Sequence, residues 1–302
     1  MALTIAGAIG AGVGAERRLG ARAGRLARGL LKAMLFAFAP FVYFCNLSRL
    51  HVTTGVGAGI ALGWAALLAA GAVAWAVARW LRLPRPSAGT LVGTALQGNT
   101  GYLGVPLVAT LLGGTALTQA VAYDALVQAP VFLLVVFAVA AATGTRVGES
   151  RRARLRSFVA RNPPLLAAIA GLLVPSALVP DVLVHVSRVV VLGLLPLGFF
   201  AVGVTLAEEA GDGAFAFPPP FDRRIGAAVL LRLAVAPGLL LALGALLIGI
   251  PSAYVLMAAM PVGVNAITVA HVYGLDVPLA SGAIAWTTAI GVAAGLLAVA
   301  VA

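Results

Sequence analysis

Two short segments interrupt long apolar stretches of the chain, and they contain the residues best suited to bind a ligand. The first segment covers residues 97–106 and the second covers residues 260–266. Both contain glycine and proline, which cost about 1 and about 3 kcal/mol relative to alanine inside a helix, so each segment predicts a broken helix. Their candidate binding residues are Asn99, Thr100, Gly101, Pro106, Pro261 and Asn265.

A broken helix exposes backbone groups that a ligand can use. It leaves unpaired N–H groups at the start of one half-helix and unpaired C=O groups at the end of the other. The N–H end carries about half a positive charge and suits an anion such as a carboxylate. Asn99 and Asn265 can both donate and accept hydrogen bonds. The alternative is a proline kink capped by asparagine, but breaks at matching places in two halves of a membrane protein favour a binding site.

Three ionisable residues, Asp124, His271 and Arg232, lie in or near apolar stretches. A carboxylate inside a membrane is costly and often marks an ion or proton pathway, so Asp124 is a candidate for proton or ion coupling. The alternative to a coupling role is that Asp124 contacts the outer membrane surface or a neighbouring helix. His271 is a candidate proton relay, unless it is a solvated residue near the cytoplasmic surface. Arg232 either snorkels to the surface or helps to hold an anion.

Other site chemistries have little support in the sequence. The single cysteine, Cys45, allows neither a disulfide framework nor a thiolate metal site. The three histidines lack the spacing of a local metal motif, and no hydrolase or metalloprotease signature occurs. We therefore expect no bound metal, no cofactor and no enzymatic activity.

The composition indicates what kind of protein positions these residues. Of the 302 residues, 62% are hydrophobic and 10% are charged, and the mean hydropathy is +1.08. A soluble domain keeps about a quarter of its residues charged, so most side chains here must face lipid or other helices. The net charge of +11 does not indicate nucleic-acid binding, because the basic residues cluster between apolar stretches, where they anchor membrane loops to anionic lipid.

Apolar stretches of about 20 residues, enough to cross a membrane, predict about ten spans in an all-α polytopic protein. They lie near residues 2–15, 30–48, 53–78, 88–112, 117–142, 162–178, 183–206, 225–249, 252–273 and 278–301. On an alternating path, eighteen of the twenty basic residues fall on one side, all except Arg49 and Arg188. The positive-inside rule makes that side cytoplasmic. This predicts a multi-pass protein of the inner (plasma) membrane with both termini outside the cytoplasm.

The longest polar stretch divides the predicted spans into two halves of five. Residues 1–145 form the first half, residues 146–161 a basic cytoplasmic loop, and residues 162–302 the second half. An odd number of spans per half forces opposite orientations, which is the inverted-repeat plan of many transporters. Two proline pairs in matching spans have similar spacings of 66 and 65 residues: Pro40 with Pro106, and Pro196 with Pro261.

The interrupted segments also resemble the motifs of a known transporter family. Residues 98–107 resemble the fourth-span motif of the auxin efflux carrier family. The ninth-span motif of that family is similar to Met260 through Asn265, followed by Ala270, Tyr273, Gly274 and Asp276. Residues 162–164 and Pro40 fit the family pattern too, and the likeness covers nearly the whole chain. The short central loop resembles that of the compact bacterial branch, which is related to the plant auxin exporters.

The resemblance implies a ten-helix carrier with a scaffold domain and a transport domain that moves as an elevator. In such carriers the broken helices four and nine cross near the middle of the membrane, which would place Asn99 and Pro106 on one side of the crossing and Pro261 and Asn265 on the other. It implies small organic anions as substrates, such as indole acids, malate or malonate. Membrane lipid and a second copy of the chain, in a homodimer, are the implied partners.

Three functions are compatible with these patterns. The first is a secondary transporter of small organic anions, auxin-like or mono- and dicarboxylate, with the proton gradient as a candidate driving force. The second is a sodium-coupled symporter of the bile-acid fold, in which loose carbonyls and hydroxyls at the breaks hold sodium. The third is a membrane sensor that binds its ligand without moving it. No segment predicts a signalling domain, which favours the first two.

Overall fold

The fold is helical throughout the part of the chain that the computed structural model describes, residues 2–146, 163–211 and 219–301. Within these residues the only β pairing is one isolated bridge. Six helices of the described residues are long and apolar enough to cross a membrane. The prediction of an all-α fold is therefore confirmed for the described residues, and the six helices are consistent with a polytopic membrane protein. The basic loop predicted at residues 146–161 lies outside the described residues, except for Arg146.

The helices are numbered in chain order. Their bounds are Ala2–Leu19 (α1), Ala21–Leu47 (α2), Thr54–Trp80 (α3), Arg85–Leu96 (α4), Thr100–Leu112 (α5), Gly114–Thr143 (α6), Pro163–Leu173 (α7), Asp181–Gly211 (α8), Arg223–Leu247 (α9), Ser252–Ala258 (α10), Asn265–Tyr273 (α11) and Val277–Val301 (α12). The six candidate spans lie in α2, α3, α6, α8, α9 and α12.

Short, broken or charged helices account for the difference between six candidate spans and ten predicted ones. The predicted spans four and nine are each divided in two, α4 with α5 and α10 with α11, and α5 and α4 have only 13 and 12 residues. Helix α7 has 11 residues, and α1 ends with the charged residues Glu16, Arg17 and Arg18. Four of the predicted spans are therefore not single long apolar helices.

Helix α2 begins well before the predicted start of the second span at residue 30. Its first turns are amphipathic: Ala23, Gly24 and Ala27 are buried, with the two alanines packed against α8, while the intervening arginines are exposed. A search for continuous apolar sequence misses such turns, because only one side of the helix is apolar. The helix boundary therefore precedes the apolar stretch.

In four helices a wider, π-type turn precedes a proline. Four π-type turns each end two residues before a proline: Met34–Phe38 before Pro40, Thr100–Gly104 before Pro106, Asp124–Gln128 before Pro130, and Leu231–Val235 before Pro237. Proline lacks an N–H and clashes with the carbonyl four residues earlier, and a wider turn accommodates it. Asp124 and Arg232 both lie in such turns.

The helices pack into two groups. In the first group, α1 packs along α8, and α7 packs along α2, which also contacts α8. In the second group, α3 packs against α4 and α9, and α12 packs against α4, α9 and α11. Helices α5 and α6 lie at the boundary, where α5 contacts α8 and α6 contacts α2. Residues of both broken helices line the space between the two groups.

Helices α1 and α8 approach closely because each has a glycine at the contact. A Cβ atom at Gly203 would lie 3.0 Å from the carbonyl carbon of Ile9 and closer still to its oxygen. Small residues allow such backbone contact between membrane helices. We expect Gly203→Val to lower the melting temperature in detergent by about 5 °C, because overpacking costs about 1–3 kcal/mol. Gly193→Val is the control, since a Cβ there meets no atom within 4 Å; equal losses would contradict the close contact.

Candidate functional site

The two helix breaks meet and pair with each other. The backbone N–H of Asn99 donates to the carbonyl of Pro261 at 2.7 Å, and the N–H of Gly263 donates to the carbonyl of Gln97 at 3.0 Å. These bonds form the one antiparallel bridge of the described chain. Backbone that a break leaves unpaired is costly in a membrane, and here each break satisfies the other. We call residues 97–99 with residues 261–263 the junction.

The second half-helices begin immediately after the junction. Helix α5 starts at Thr100 and α11 at Asn265. The first N–H groups of a helix have no partner within it, and each N-terminus carries about half a positive charge. The side chain of Asn99 is buried while Asn265 is exposed, and both residues line the same cavity. Two positive helix ends therefore meet at one side of the junction.

A cavity of about 450 Å³ lies between the two helix groups. Its walls include Val42 and Leu194 from the first group and residues of both helix breaks. A mostly apolar wall with a few convergent polar groups is typical of sites for small organic molecules. The polar side chains of the wall are Tyr43, Gln97, Asn99, Thr100, Tyr102, Asp124, Gln128 and Asn265.

Asp124 is the one acidic residue in the cavity wall as described. It is buried on α6, with 8% of its surface exposed. One carboxylate oxygen accepts a hydrogen bond from the Thr100 hydroxyl and the other accepts one from the Tyr43 hydroxyl. Asp124 thus bonds two neighbouring helices and is buried inside the protein. Because Tyr43 belongs to α2, one of these bonds joins the first helix group to α6 at the boundary.

Gln128 supports the junction from the same helix as Asp124. Its side-chain nitrogen donates to the carbonyl of Leu96 at 3.0 Å, and its side-chain oxygen accepts from the N–H of Gly98 at 3.4 Å. It stands four residues after Asp124, which places both side chains on one face of α6. Gln128 therefore holds the end of α4 while Asp124 holds the start of α5.

Arg232 lies behind the junction, fully buried on α9. Its guanidinium donates hydrogen bonds to the carbonyls of Ala95, Ala258 and Met260, at the ends of α4 and α10. It is not part of the cavity wall. Neither expectation from the sequence is met, because Arg232 does not snorkel to the surface and does not face a ligand in the cavity.

The structure brings most of the predicted site residues together. Asn99, Thr100, Gly101, Pro106, Asp124 and Asn265 all line the cavity. Pro261 is buried at the junction instead, where its carbonyl is bonded to Asn99.

His271 is not in this group of residues. It is exposed on α11, outside the cavity wall, and its backbone carbonyl accepts from the Arg146 guanidinium at 2.8 Å. Helix α11 carries Asn265 at its first residue and His271 six residues later, which turns the two side chains to different faces. The position of His271 does not support a proton relay at the cavity.

Tyr43 and Gln128 line the cavity but are not among the site residues predicted from the sequence. Tyr43 stands three residues after Pro40, in an apolar stretch where a tyrosine hydroxyl has no visible partner in the sequence. Gln128 could have been found, because a glutamine one helical turn after a membrane carboxylate marks the same face. No group of three or more His, Cys, Asp or Glu side chains able to hold a metal ion occurs among the described residues.

No family model matches the chain, and no curated protein matches it. The likeness to the auxin efflux carrier family therefore rests on the motifs of its own sequence, and the function must be argued from the geometry of the junction and the cavity.

Proposed function

We propose that this protein is a secondary transporter of small organic anions that binds its substrate in the cavity between the two helix groups. The observation that carries the proposal is the meeting of two broken helices whose N-terminal ends line that cavity together with Asn99 and Asn265. The helix ends supply partial positive charge, and the asparagines supply hydrogen-bond donors for a carboxylate. The apolar wall suits the carbon skeleton of an indole acid or a short dicarboxylate.

The negative charge of an ionised Asp124 would repel an anionic substrate in the cavity. A carboxylate without hydrogen-bond partners would favour the binding of an organic cation. Both oxygens of Asp124, however, already accept hydrogen bonds from hydroxyl groups. A proton on Asp124 would remove its repulsion for a bound anion. We therefore assign Asp124 the role of the proton site in anion–proton coupling. His271 has no part in this proposal.

The two helix groups support an elevator movement. In the proposed topology, ten spans form two inverted halves, with α4–α5 and α10–α11 as the broken fourth and ninth spans. The first helix group would act as the scaffold, and the second group would form the transport domain together with α5 and α6. The Tyr43–Asp124 bond then joins the scaffold to the transport domain, so it must break when the two domains slide past each other. The inner membrane, external termini and a homodimer belong to the same proposal.

Ligand binding tests the proposed site. Purified protein in detergent is heated with malate, malonate or indole-3-acetate, and the ligand-dependent rise in melting temperature gives the affinity. We expect Asn99→Ala and Asn265→Ala each to weaken binding at least about tenfold, because a hydrogen bond to a charged group contributes about 1.5–3 kcal/mol.

The control is Thr268→Ala, on α11 beside Asn265 but exposed and outside the cavity wall. It should bind like the unchanged protein. Stabilisation by an organic cation such as choline, with none by any of the acids, would contradict the anion proposal and favour a carrier of organic cations that bind Asp124.

A further inference from the structure

Arg232 bonds to the carboxyl ends of both first half-helices. Its Nε donates to the Met260 carbonyl at 2.7 Å, one Nη to the Ala258 carbonyl at 2.8 Å, and the other Nη to the Ala95 carbonyl at 3.2 Å. Ala258 is the last residue of α10, and Ala95 is in the last turn of α4. A single guanidinium therefore satisfies the loose carbonyls of both breaks.

The charge of Arg232 is balanced by helix ends. Within the described residues, Arg232 makes no ion pair with a carboxylate. Each helix C-terminus carries about half a negative charge, so two of them supply about one unit of negative charge beside the guanidinium. A cation and two aligned helix ends thus neutralise each other deep in the protein.

An alkali-metal cation would use the same groups. In transporters with broken helices, unwound carbonyls and half-helix C-termini coordinate the coupling ion, and carbonyl oxygens can replace the hydration shell of such an ion. Here the guanidinium occupies that position. It also packs against the junction, since a Cβ atom at Gly98 would lie 2.9 Å from Cζ of Arg232.

We propose that Arg232 is a tethered cation that takes the place of a coupling sodium ion, so that the protein neither needs nor binds sodium at the junction. When the side chain is removed, the carbonyls of Ala95, Ala258 and Met260 become an alkali-cation site. The consequence for coupling rests on the proposed transport function: transport of the organic anion should not depend on sodium. The site itself can be tested without any transport.

The test is the melting temperature of the purified protein in about 150 mM sodium chloride or N-methylglucamine chloride. The unchanged protein should melt at the same temperature in both salts. Arg232→Ala and Arg232→Met should melt at lower temperature in N-methylglucamine, and sodium should raise their melting temperature by about 3–5 °C, because an ion that binds only the folded state stabilises it.

Arg85→Ala is the matched control. Arg85 also donates to a carbonyl near a helix end, that of Ala142 at 2.7 Å, but it is exposed, so water can replace it. Its removal should give no difference between the salts. Arg232→Lys should fold and remain insensitive to sodium, because it keeps a cation on the chain.

Three results would overturn the inference. They are a sodium-dependent melting temperature of the unchanged protein, neutral Arg232 variants that fold but melt equally in both salts, and neutral variants that fold in neither salt while Arg232→Lys folds. The last would mean that the carbonyls require the tethered charge itself. None of these results bears on whether organic anions bind the cavity, so failure here is distinguishable from failure of the proposed function.

Discussion

Asp124→Asn is expected to abolish pH-driven accumulation of substrate while leaving substrate exchange intact. Asparagine keeps the size of the side chain but cannot carry the proton that the anion needs. One pH unit corresponds to about 1.36 kcal/mol per proton, so a gradient of about one unit should let the unchanged carrier concentrate its anion about tenfold in liposomes. With Asp124→Asn the internal and external concentrations should become equal, while counterflow of labelled substrate continues.

Asp181→Asn is the control for removal of one acidic side chain. Asp181 is largely exposed and pairs with Arg49 at 2.6 Å, away from the cavity wall. It should accumulate substrate like the unchanged protein. If Asp124→Asn still concentrates the anion under the same pH gradient, Asp124 is not the proton site.

Gly98→Ala should disrupt the junction and cause a large loss of stability. The new Cβ would overlap the guanidinium of Arg232, which is fully buried and bonded to three carbonyls. The guanidinium can move only by giving up those bonds, and each buried polar group left unsatisfied costs about 1–3 kcal/mol. We expect a melting temperature lower by at least about 10 °C and less than about a tenth of the counterflow rate.

Gly93→Ala is the matched comparison on the same helix. A Cβ there would lie 3.6 Å from a methyl group of Val136, an ordinary contact. Alanine is also a better helix former than glycine by about 1 kcal/mol, so this variant should be at least as stable as the unchanged protein. Similar melting temperatures for Gly98→Ala and Gly93→Ala would contradict the packing of Arg232 against the junction.

The helix breaks could be predicted from the sequence because their causes are local. Glycine and proline act on the few residues around them, so residues 97–106 and 260–266 predict interruptions without knowledge of their neighbours. The apolar stretches likewise predict helices, since the cost of burying polar groups in lipid applies residue by residue. Asp124 could be identified because a carboxylate in an apolar stretch needs a partner.

The pairing between distant segments could not be predicted in the same way. Nothing near Arg232 in the sequence shows that its hydrogen-bond acceptors are the ends of α4 and α10, because that contact depends on how α9 packs. The same holds for Tyr43, whose hydroxyl finds Asp124 on another helix. For His271 the sequence position is misleading in the opposite way: it lies near a break, but the helical rotation after Asn265 turns its side chain to a face away from the cavity.

The most direct test of transport is counterflow into liposomes preloaded with unlabelled substrate. Radiolabelled malate, malonate and indole-3-acetate are added outside, and the unchanged protein is compared with the double variant Asn99→Ala and Asn265→Ala. We expect saturable accumulation of at least one labelled acid by the unchanged protein and its loss in the double variant. If an acid binds the purified protein but its label never enters the liposomes, the protein is a membrane sensor and the carrier proposal is wrong.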